Sequence, residues 1–280
     1  MSIRTRRHAK VAVALLASVL VVSACSSGGD RSAPTDNGAS GDAKITIGIS
    51  DDEPGLADKD GSSYKGFDID TANFVAGKLG VPTQNIVWKP VDQGERISAL
   101  TSGDVDLVVS TFSITADREK QVSFSKPYYV AHQDLLIRRN DDTITSPETL
   151  DGKVLCAASG TTSADYVKAN YRGKITLREV PSWSECVRNL ANGDVDAVST
   201  DDLILAGFAA LPEYKGVLRL IGKGFTDENY GIGVKKGDTE RVDKVNAALA
   251  DYVSSGAWKK SLDTWFVPSG YKIPDPPSFG

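Results

Sequence analysis

The sequence predicts an α/β protein with two similar lobes and a cleft between them. Short apolar runs that are typical of strands alternate along the chain with segments whose apolar residues recur at helical spacing. In addition, one phrase occurs twice, as "SGDVDLVVST" at 102–111 and as "NGDVDAVSTD" at 192–201. Because ligands of α/β sheets bind beyond the carboxyl ends of the strands, two such units with facing loops would enclose a cleft.

The start of the chain predicts a targeting segment that is removed from the mature protein. Four Lys and Arg residues occur among the first ten residues, and residues 11–22 form an uncharged apolar run too short for a comfortable membrane span. The run leads into "VSAC", which resembles a bacterial lipobox with Cys25 as the lipidated first residue. We therefore assign 1–24 to a lipoprotein signal peptide. The alternative is an ordinary signal peptide followed by a chance cysteine.

Residues 25–43 predict a flexible tether behind the lipidated cysteine. They contain no large apolar side chain, so this segment cannot fold alone. The signal segment carries four of the 32 Lys and Arg residues and none of the 37 Asp and Glu residues, which leaves the mature chain a net charge of about −9. Such a charge argues against binding to nucleic acid or to an anionic membrane face. No second apolar stretch is long enough to cross a bilayer.

Three segments show the α/β alternation along the chain. Residues 44–50, "KITIGIS", alternate isoleucine with smaller or polar residues, as a strand does. Residues 67–80 place apolar side chains along one helical face and end at a glycine, with a proline two residues later. Residues 153–171, "KVLCAASGTTSADYVKANY", predict a strand, a loop and a helix.

Each copy of the duplicated phrase predicts a helix, a tight turn and a buried strand. Apolar residues at helical spacing precede Gly103 and Gly193, and glycine favours the left-handed position that follows a helix. The valine-rich runs that follow are typical of buried strands and lead into polar loops. Turn and strand-edge aspartates are common, so we assign no chemistry to Asp104, Asp106, Asp194 and Asp196.

Four segments carry a resemblance to a known family. They are "GFDID", "SGDVDLVVSTFSITADREKQVSFSKPYY", "SGTT" and "NGDVDAVSTDD", within a match that extends over 44–266. Together they resemble the polar-amino-acid group of bacterial ABC-transporter solute-binding proteins. The resemblance implies a periplasmic-binding-protein type II clamshell with a two-strand hinge and a ligand cleft between the lobes. Lobe 1 is expected to comprise 44–132 plus 229–280, and lobe 2 to comprise 133–228.

The resemblance implies a site that grips both charged groups of an amino acid. Arg118 is expected to clamp the α-carboxylate, since its guanidinium presents paired N–H donors that lysine lacks. Asp201 is expected to hold the α-ammonium, while Asp202 is expected to be solvated or to cap a helix. Neutral hydrogen bonds are expected from Ser110, Thr111 and Ser113.

A helix N-terminus on lobe 2 is expected to meet the ligand from the other side. Thr161 and Thr162 precede the helix, and Asp165 stands three residues after Thr162, as in a loose capping box. Free N–H groups and the helix dipole attract a carboxylate to such an end.

Arg96 leads to a prediction about the side chain of the ligand. In members of the resembled family that bind acidic amino acids, an arginine at this spacing reaches the side-chain carboxylate. Basic-amino-acid binders tend to stack an aromatic ring nearby, where this chain has Gln93. We therefore expect L-glutamate first, then aspartate, glutamine and asparagine, with lysine and arginine as poor ligands. Alternatively, Arg96 is a helix-surface residue paired with a carboxylate. The acids of "SDDEPGL" would favour a cationic ligand if they pointed into the cleft.

The remaining cysteines and the scarcity of histidine argue against an enzyme or a metal site. Cys156 and Cys186 are a pair in an exported protein, which favours a disulfide over two separately buried thiols. His132 is the one mature histidine, and we expect it to be structural, near the hinge. Neither a zinc site nor a G-x-S-x-G, phosphate-loop or G-x-G-x-x-G motif is present in the sequence. We expect no cofactor.

The sequence thus predicts a monomeric lipoprotein, anchored on the extracytoplasmic face, that delivers an amino acid to an ABC permease. The alternatives are a ligand-sensing receptor lobe and a small-molecule dehydratase on the same fold. The tail 267–280 has four prolines and is expected to pack irregularly or to hang free.

Overall fold

The structure is a computed structural model that describes residues 43–171 and 173–279. The predicted signal peptide, the predicted lipidation of Cys25 and almost all of the predicted tether lie outside these residues. Within the described part, no helix has the length and apolar character needed to cross a membrane.

Strands and helices alternate along the described chain. The strands are β1 (Ile45–Ile49), β2 (Asp52–Glu53), β3 (Ala57–Asp60), β4 (Ser63–Lys65), β5 (Ile86–Pro90), β6 (Leu107–Val108), β7 (Ser123–Phe124), β8 (Tyr129–Ala131), β9 (Gln133–Arg138), β10 (Val154–Ala158), β11 (Thr176–Val180), β12 (Ala197–Asp201), β13 (Leu218–Leu220), β14 (Glu228–Tyr230) and β15 (Gly233–Val234). The α-helices are α1 (Phe67–Lys78), α2 (Arg96–Ser102), α3 (Ala116–Glu119), α4 (Thr162–Asn170), α5 (Trp183–Asn192), α6 (Asp202–Ala210), α7 (Thr239–Ser254) and α8 (Ala257–Phe266). Short 3₁₀ turns occur at Thr83–Asn85, Pro147–Thr149 and Val267–Ser269.

A first sheet has the strand order β5–β1–β6–β15–β7. β1 lies parallel to β5 and β6, whereas β15 runs antiparallel to β6 and β7. The isoleucines of the predicted first strand, Ile45, Ile47 and Ile49, are all buried in the core. The strand prediction for 44–50 and the helix prediction for 67–80 are both confirmed.

A second sheet has the order β11–β10–β12–β9–β13, in which β10 is parallel to β11 and β12. The chain passes between the two sheets through β8 and β14, which pair with each other antiparallel. Two sheets joined by a pair of crossing strands are the two-lobed α/β clamshell with a two-strand hinge that the resemblance implies.

The duplicated phrase folds as predicted into two helix–turn–strand units. Helix α2 leads through Gly103 towards β6, and helix α5 leads through Gly193 towards β12. The φ angles of the two glycines, 80° and 86°, lie in the left-handed region that glycine adopts readily. β6 has two residues and β12 has five, and the polar loop after β6 contains Thr111, whose φ angle is 42°.

The predicted disulfide between Cys156 and Cys186 is present. It joins β10, the strand before "SGTT", to α5, the helix before "NGDVD", and both cysteines are fully buried. The bridge therefore ties together two elements of the second sheet and its helical layer.

The tail packs irregularly and does not hang free. Residues 270–279 contain no helix or strand, but the side chains of Tyr271, Ile273 and Phe279 pack against the core. The Tyr271 hydroxyl donates to Asp202 Oδ2 at 2.9 Å and lies 3.1 Å from the Tyr129 hydroxyl. The tail thus fastens β8 of the hinge to the start of α6.

Candidate functional site

Most of the residues that the sequence assigns to the site line one buried cavity where loops from both sheets meet. Its volume is about 10 Å³, far less than an amino acid occupies. It is lined by Gln93, Arg96, Thr111, Ser113, Thr161, Thr162, Ser163, Trp183, Thr200, Asp201 and Ile204. Six of these were assigned to the site from the sequence: Arg96, Thr111, Ser113, Thr161, Thr162 and Asp201.

The other two assigned residues, Arg118 and Ser110, lie just outside this cavity. Arg118 lines an adjoining groove of about 610 Å³, which shares Gln93 and Thr162 with the cavity. Ser110 is fully buried, and its hydroxyl has no hydrogen-bond partner among the described residues.

Arg118 reaches across the cleft. Its Nη1 donates to the Ser113 carbonyl at 2.7 Å, and its Nη2 donates to the Gly160 carbonyl at 3.3 Å. Gly160 belongs to the loop after β10 of the second sheet, whereas Ser113 follows β6 of the first. Burial lowers the pKa of Arg118, and the nearby carboxylates Glu228 and Asp201 oppose that shift.

Arg96 is an interior residue at the first position of α2 and not the helix-surface residue of the alternative interpretation. Only 3% of its surface is exposed. Its Nε donates to the Gln93 carbonyl at 2.9 Å, and its Nη1 donates to the carbonyls of Ser110 and Thr111 at 2.9 and 3.3 Å. Burial and repulsion from Arg118 lower the pKa of Arg96, but a guanidinium stays charged at neutral pH.

The two arginines share one aromatic ring. The guanidinium carbon of Arg96 lies 4.5 Å from the ring centre of Phe112, and that of Arg118 lies 4.9 Å from it. A cation over an aromatic face is attracted by the ring quadrupole. Phe112 therefore holds two like charges close together, which makes this side of the cleft suited to anionic groups.

Thr111 adopts a backbone conformation that is rare for a β-branched residue, with φ at 42°. Its N–H donates to Asp68 Oδ2 at 2.9 Å, and its carbonyl accepts from Arg96. Tyr128 donates to the other oxygen of Asp68 at 2.8 Å, so this buried carboxylate is held on both sides. Strained residues of this kind concentrate at functional sites. Asp68 belongs to the segment "GFDID", but its supporting role was not predicted.

Glu53 is another residue near the site that the sequence did not single out among the acids of "SDDEPGL". It is fully buried, and its carboxylate accepts from Gln93 Nε2 at 2.8 Å and from Thr111 Oγ1 at 3.0 Å. Burial, followed by repulsion from Asp68, raises the pKa of Glu53 to about 8. None of the three acids of "SDDEPGL" lines the cavity. Asp52 instead accepts a hydrogen bond from the Ser184 N–H at 3.0 Å.

Asp201 presents a buried carboxylate oxygen to the cavity. Its Oδ2 accepts from the Tyr230 hydroxyl at 2.6 Å, whereas its Oδ1 has no hydrogen-bond partner among the described residues. Burial, with repulsion from Glu228, raises the pKa of Asp201 well above its usual range. An unpaired buried carboxylate is costly, so this oxygen calls for a cationic or donor partner.

The start of α4 differs in detail from the predicted capping box. The N-cap is Thr161, whose hydroxyl accepts from the Ala164 N–H at 3.1 Å, so Asp165 is not at the capping-box position. The Thr162 hydroxyl donates to Glu228 Oε2 at 2.9 Å. The box prediction was wrong by one residue, because the helix begins at Thr162 and not after it.

The cleft is closed. Gly94 of the first sheet's side faces Gly160 so closely that a Cβ on Gly160 would lie 2.4 Å from the Gly94 Cα atom. A Cβ on Gly207 of α6 would lie 2.0 Å from the Pro54 carbonyl oxygen. Only glycine permits these two backbone approaches, which bring the two halves into direct contact.

His132 and Asp202, which lie beside the hinge, form hydrogen bonds to other parts of the protein. The His132 N–H donates to Asp202 Oδ1 at 3.2 Å, and its ring Nδ1 lies 2.9 Å from the Thr226 carbonyl oxygen. Asp202 was expected to be solvated or capping, but its carboxylate is half-buried and accepts from His132 and Tyr271. In residues 43–171 and 173–279, no group of three or more His, Cys, Asp or Glu side chains could hold a metal ion.

Comparison with known proteins gives a family match over residues 45–268, to the family described as bacterial extracellular solute-binding proteins, family 3. The chain is 37% identical to the glutamate-binding protein GluB of Corynebacterium glutamicum, over 90% of this chain and 86% of the relative. It is 35% identical to the glutamine-binding protein GlnH of an ABC transporter of Bacillus subtilis, over 79% and 81%. A solved structure of an ancestral arginine-binding protein bound to arginine matches with a TM-score of 0.75 and 34% identity, over 81% of this chain and 99% of that chain.

Proposed function

The chain belongs to family 3 of the bacterial extracellular solute-binding proteins, and from this premise we propose that it captures L-glutamate and delivers it to an ABC permease. Because the members of this family are extracellular proteins, its place is extracytoplasmic. The relatives named for glutamate and glutamine support an amino-acid ligand with a polar side chain.

One observation carries the proposal: the cleft holds a forked cation and a buried carboxyl oxygen that has no hydrogen-bond partner among the described residues. Arg118 offers paired N–H donors of the kind that bind a carboxylate, and Asp201 Oδ1 is buried without a partner. An α-carboxylate would take the place of the Gly160 carbonyl as a partner of Arg118, and an α-ammonium would give Asp201 Oδ1 the partner that it lacks. Ser110, Thr111 and Ser113 on one side and Thr161 and Thr162 on the other would complete the grip.

The second arginine favours an acidic side chain over a basic one. Arg96 is a buried cation on the cavity wall, so the ammonium or guanidinium of a basic ligand beside it would suffer direct repulsion. A γ-carboxylate there gains a charged partner. Aspartate, glutamine and asparagine are expected as weaker competitors, and lysine and arginine as poor ligands.

Closure is part of the proposed binding cycle. Lobe 1, at 44–132 plus 229–280, and lobe 2, at 133–228, would separate about the β8–β14 pair to admit the ligand. The cavity of about 10 Å³ cannot admit an amino acid without such an opening. The Arg118–Gly160 contact would break on opening, which frees the guanidinium for the incoming carboxylate.

We propose a monomeric binding protein without catalytic activity, cofactor or metal. The relatives named above are binding proteins, which supports this assignment. Incubating the purified protein with glutamate and searching for a product by mass spectrometry tests it, and any turnover would refute it.

The predicted lipid anchor gives a separate test of location. We expect Cys25→Ser to release the protein from the membrane fraction into the soluble fraction, because the anchoring thiol is lost. The control is Cys25→Ser fused to an unrelated lipoprotein signal and cysteine, which should return to the membrane. A substituted protein that stays membrane-bound would contradict the lipid anchor but not the binding function.

Calorimetric titration of glutamate, glutamine and lysine tests the ligand and the role of Arg96 together. We expect the wild-type protein to bind glutamate most tightly and lysine most weakly. Arg96→Ala should lose at least about tenfold more affinity for glutamate than for glutamine, since only glutamate leaves an unpaired charge behind.

The matched control is Arg139→Ala, which removes an exposed arginine beyond β9. It should leave both affinities unchanged. Equal losses of glutamate and glutamine in Arg96→Ala would mean that Arg96 supports the loop around Thr111 and does not read the side chain.

A further inference from the structure

Trp183 places a hydrogen-bond donor without a partner on the wall of the cavity. Its side chain lines the cavity and is 2% exposed. The indole Nε1–H is buried and has no hydrogen-bond partner among the described residues. An indole can only donate, and a buried donor that is left unpaired costs free energy. This N–H therefore calls for an acceptor that the described residues do not provide.

The other three tryptophans of the chain are placed differently. The Nε1 atoms of Trp258 and Trp265 each donate to a protein oxygen at 2.8 Å. Trp88 is half-buried on β5 and does not line the cavity. Among the tryptophans, a buried N–H without a partner and a place on the cavity wall thus coincide at Trp183.

The start of α5 fixes the position of this indole. Trp183 is the first residue of the helix, whose N-cap residue Ser182 accepts from the Glu185 N–H at 3.4 Å. The N–H of Ser184 donates to Asp52 Oδ2 at 3.0 Å. Asp52 lies in β2, 132 residues earlier in the chain, and the helix dipole stabilises a carboxylate at a helix N-terminus. The bond holds the backbone next to Trp183 against the other side of the cleft.

The location of Trp183 points to the side chain of the ligand. Arg118, the proposed partner of the α-carboxylate, lines the adjoining groove and not the cavity, whereas Trp183 lines the cavity and not the groove. Asp201 also lines the cavity, but the α-ammonium that we propose for it has no lone pair with which to accept from an indole. Arg96, the proposed partner of the side-chain carboxylate, shares the cavity wall with Trp183. The ligand group left to accept from the indole is the end of the side chain.

We infer that Trp183 is a specificity-determining residue whose indole N–H donates a hydrogen bond to the side-chain carboxylate or carboxamide oxygen of the bound amino acid. The inference rests on the proposed function, because it concerns an amino acid held by Arg118 and Asp201. It adds to that function a requirement for an acceptor at the end of the ligand side chain.

Trp183 and Arg96 select the ligand on different grounds. Arg96 acts through its charge, and it therefore favours glutamate over glutamine. The neutral indole N–H serves a carboxylate oxygen and a carboxamide oxygen alike, so it favours both over a side chain that ends in a methyl group. A site built around a buried donor rejects a ligand that lacks the acceptor, since the donor is then left unpaired. The ammonium of lysine offers donors only, and it meets this penalty in addition to repulsion from Arg96.

The first experiment measures the affinities of glutamate, glutamine and L-norvaline for the wild type and for Trp183→Phe by calorimetry, with norvaline titrated in competition with glutamate. Norvaline carries a methyl group in place of the γ-carboxylate, and phenylalanine keeps an aromatic ring but has no N–H. We expect the variant to lose about tenfold in affinity for glutamate and for glutamine, and to bind norvaline within about twofold of the wild type. Equal losses for all three ligands would mean that the ring only shapes the cavity. Either that result or an unchanged affinity for glutamate would overturn the inference.

Trp88→Phe is the matched control. It makes the same change at a half-buried tryptophan whose ring packs edge-on against Tyr64, with 6.4 Å between the ring centres. We expect it to leave all three affinities unchanged. If it weakened glutamate binding as much as Trp183→Phe does, the loss would not belong to the cavity wall, and the result would count against the inference.

The second experiment observes the indole N–H groups of the wild-type protein by nuclear magnetic resonance. With isotope-labelled tryptophan the protein has four indole N–H signals, one for each tryptophan. The variants Trp88→Phe, Trp258→Phe and Trp265→Phe each remove one signal, so that of Trp183 is assigned without changing Trp183 itself. We expect its proton to move downfield at saturating glutamate or glutamine and not at saturating norvaline. A Trp183 signal that responded alike to all three ligands, or to none, would contradict the inference.

The outcomes separate the inference from the proposed function. Binding of glutamate and glutamine with equal strength to the wild type and to Trp183→Phe refutes the role of the indole and leaves the binding function intact. Binding of neither ligand by the wild-type protein refutes the proposed function, and the inference with it. Should Trp183→Phe fail to fold, the indole signals of the wild-type protein still decide.

Discussion

We expect Arg118→Ala to abolish measurable binding of glutamate. Removing one member of a desolvated charge pair typically costs about 2–5 kcal/mol, or roughly 30-fold to several thousand-fold in affinity. The effect should be at the upper end, because the guanidinium is partly buried and carries two directed contacts, to Ser113 and Gly160. Calorimetry with glutamate measures the loss directly.

Arg118→Lys tests whether the paired N–H donors of Arg118 contribute to binding beyond its positive charge. A lysine keeps the positive charge but cannot present two parallel N–H donors to one carboxylate, so we expect an intermediate loss. Lys120→Ala is the matched control, since it removes an exposed cation two residues away whose partner is Asp117. That control should bind as the wild type does.

A ligand that lacks the α-carboxylate shows whether Arg118 contacts that group. 4-Aminobutyrate is glutamate without the α-carboxylate, and we expect it to bind weakly and almost equally to the wild type and to Arg118→Ala. One deletion removes the Arg118 guanidinium and the other removes the α-carboxylate of the ligand. The coupling energy between them then measures the interaction of these two groups. If Arg118→Ala weakened both ligands by the same factor, the arginine would act on closure of the cleft and not on the carboxylate.

Local sequence patterns were sufficient for much of the fold. Gly103 and Gly193 end their helices because a left-handed residue is needed there, and that need can be read from a few neighbouring residues. The disulfide between Cys156 and Cys186 was predictable because an exported chain leaves few partners for a cysteine. Each of these features depends on residue type and on short spacing.

The supporting layer of the site was not predictable, because its contacts join residues that are far apart in the chain. Glu53 meets Gln93 across 40 residues and Thr111 across 58, and nothing in "SDDEPGL" indicates which of its acids turns inward. Asp201 was identified by resemblance, but its bond to Tyr230 across the hinge depends on how the two sheets are placed. The sequence pointed to the groups that we propose face the ligand, and it gave no sign of the groups that orient them.

Asp201→Asn is the second substitution for which we expect a very large effect. The amide has the same shape as the carboxylate and can still accept from the Tyr230 hydroxyl, so folding should be preserved. What is lost is the negative charge opposite the α-ammonium, at a side chain that is 4% exposed. We expect a loss of about 2–5 kcal/mol in glutamate binding, which calorimetry measures.

The pKa of Asp201 makes this prediction sharper. Burial raises the pKa of Asp201 well above its usual range, so the Asp201 carboxyl tends to hold a proton when no ligand is bound. A ligand with an α-ammonium group must displace that proton when it binds. Glutarate is glutamate without the amino group, and we expect its weak binding to be unchanged, or slightly improved, in Asp201→Asn. Asp194→Asn, which removes an exposed carboxylate shortly before the same strand, should leave glutamate binding unaltered. If Asp201→Asn weakened glutarate as strongly as glutamate, Asp201 would be needed for the architecture of the hinge and not for the ammonium.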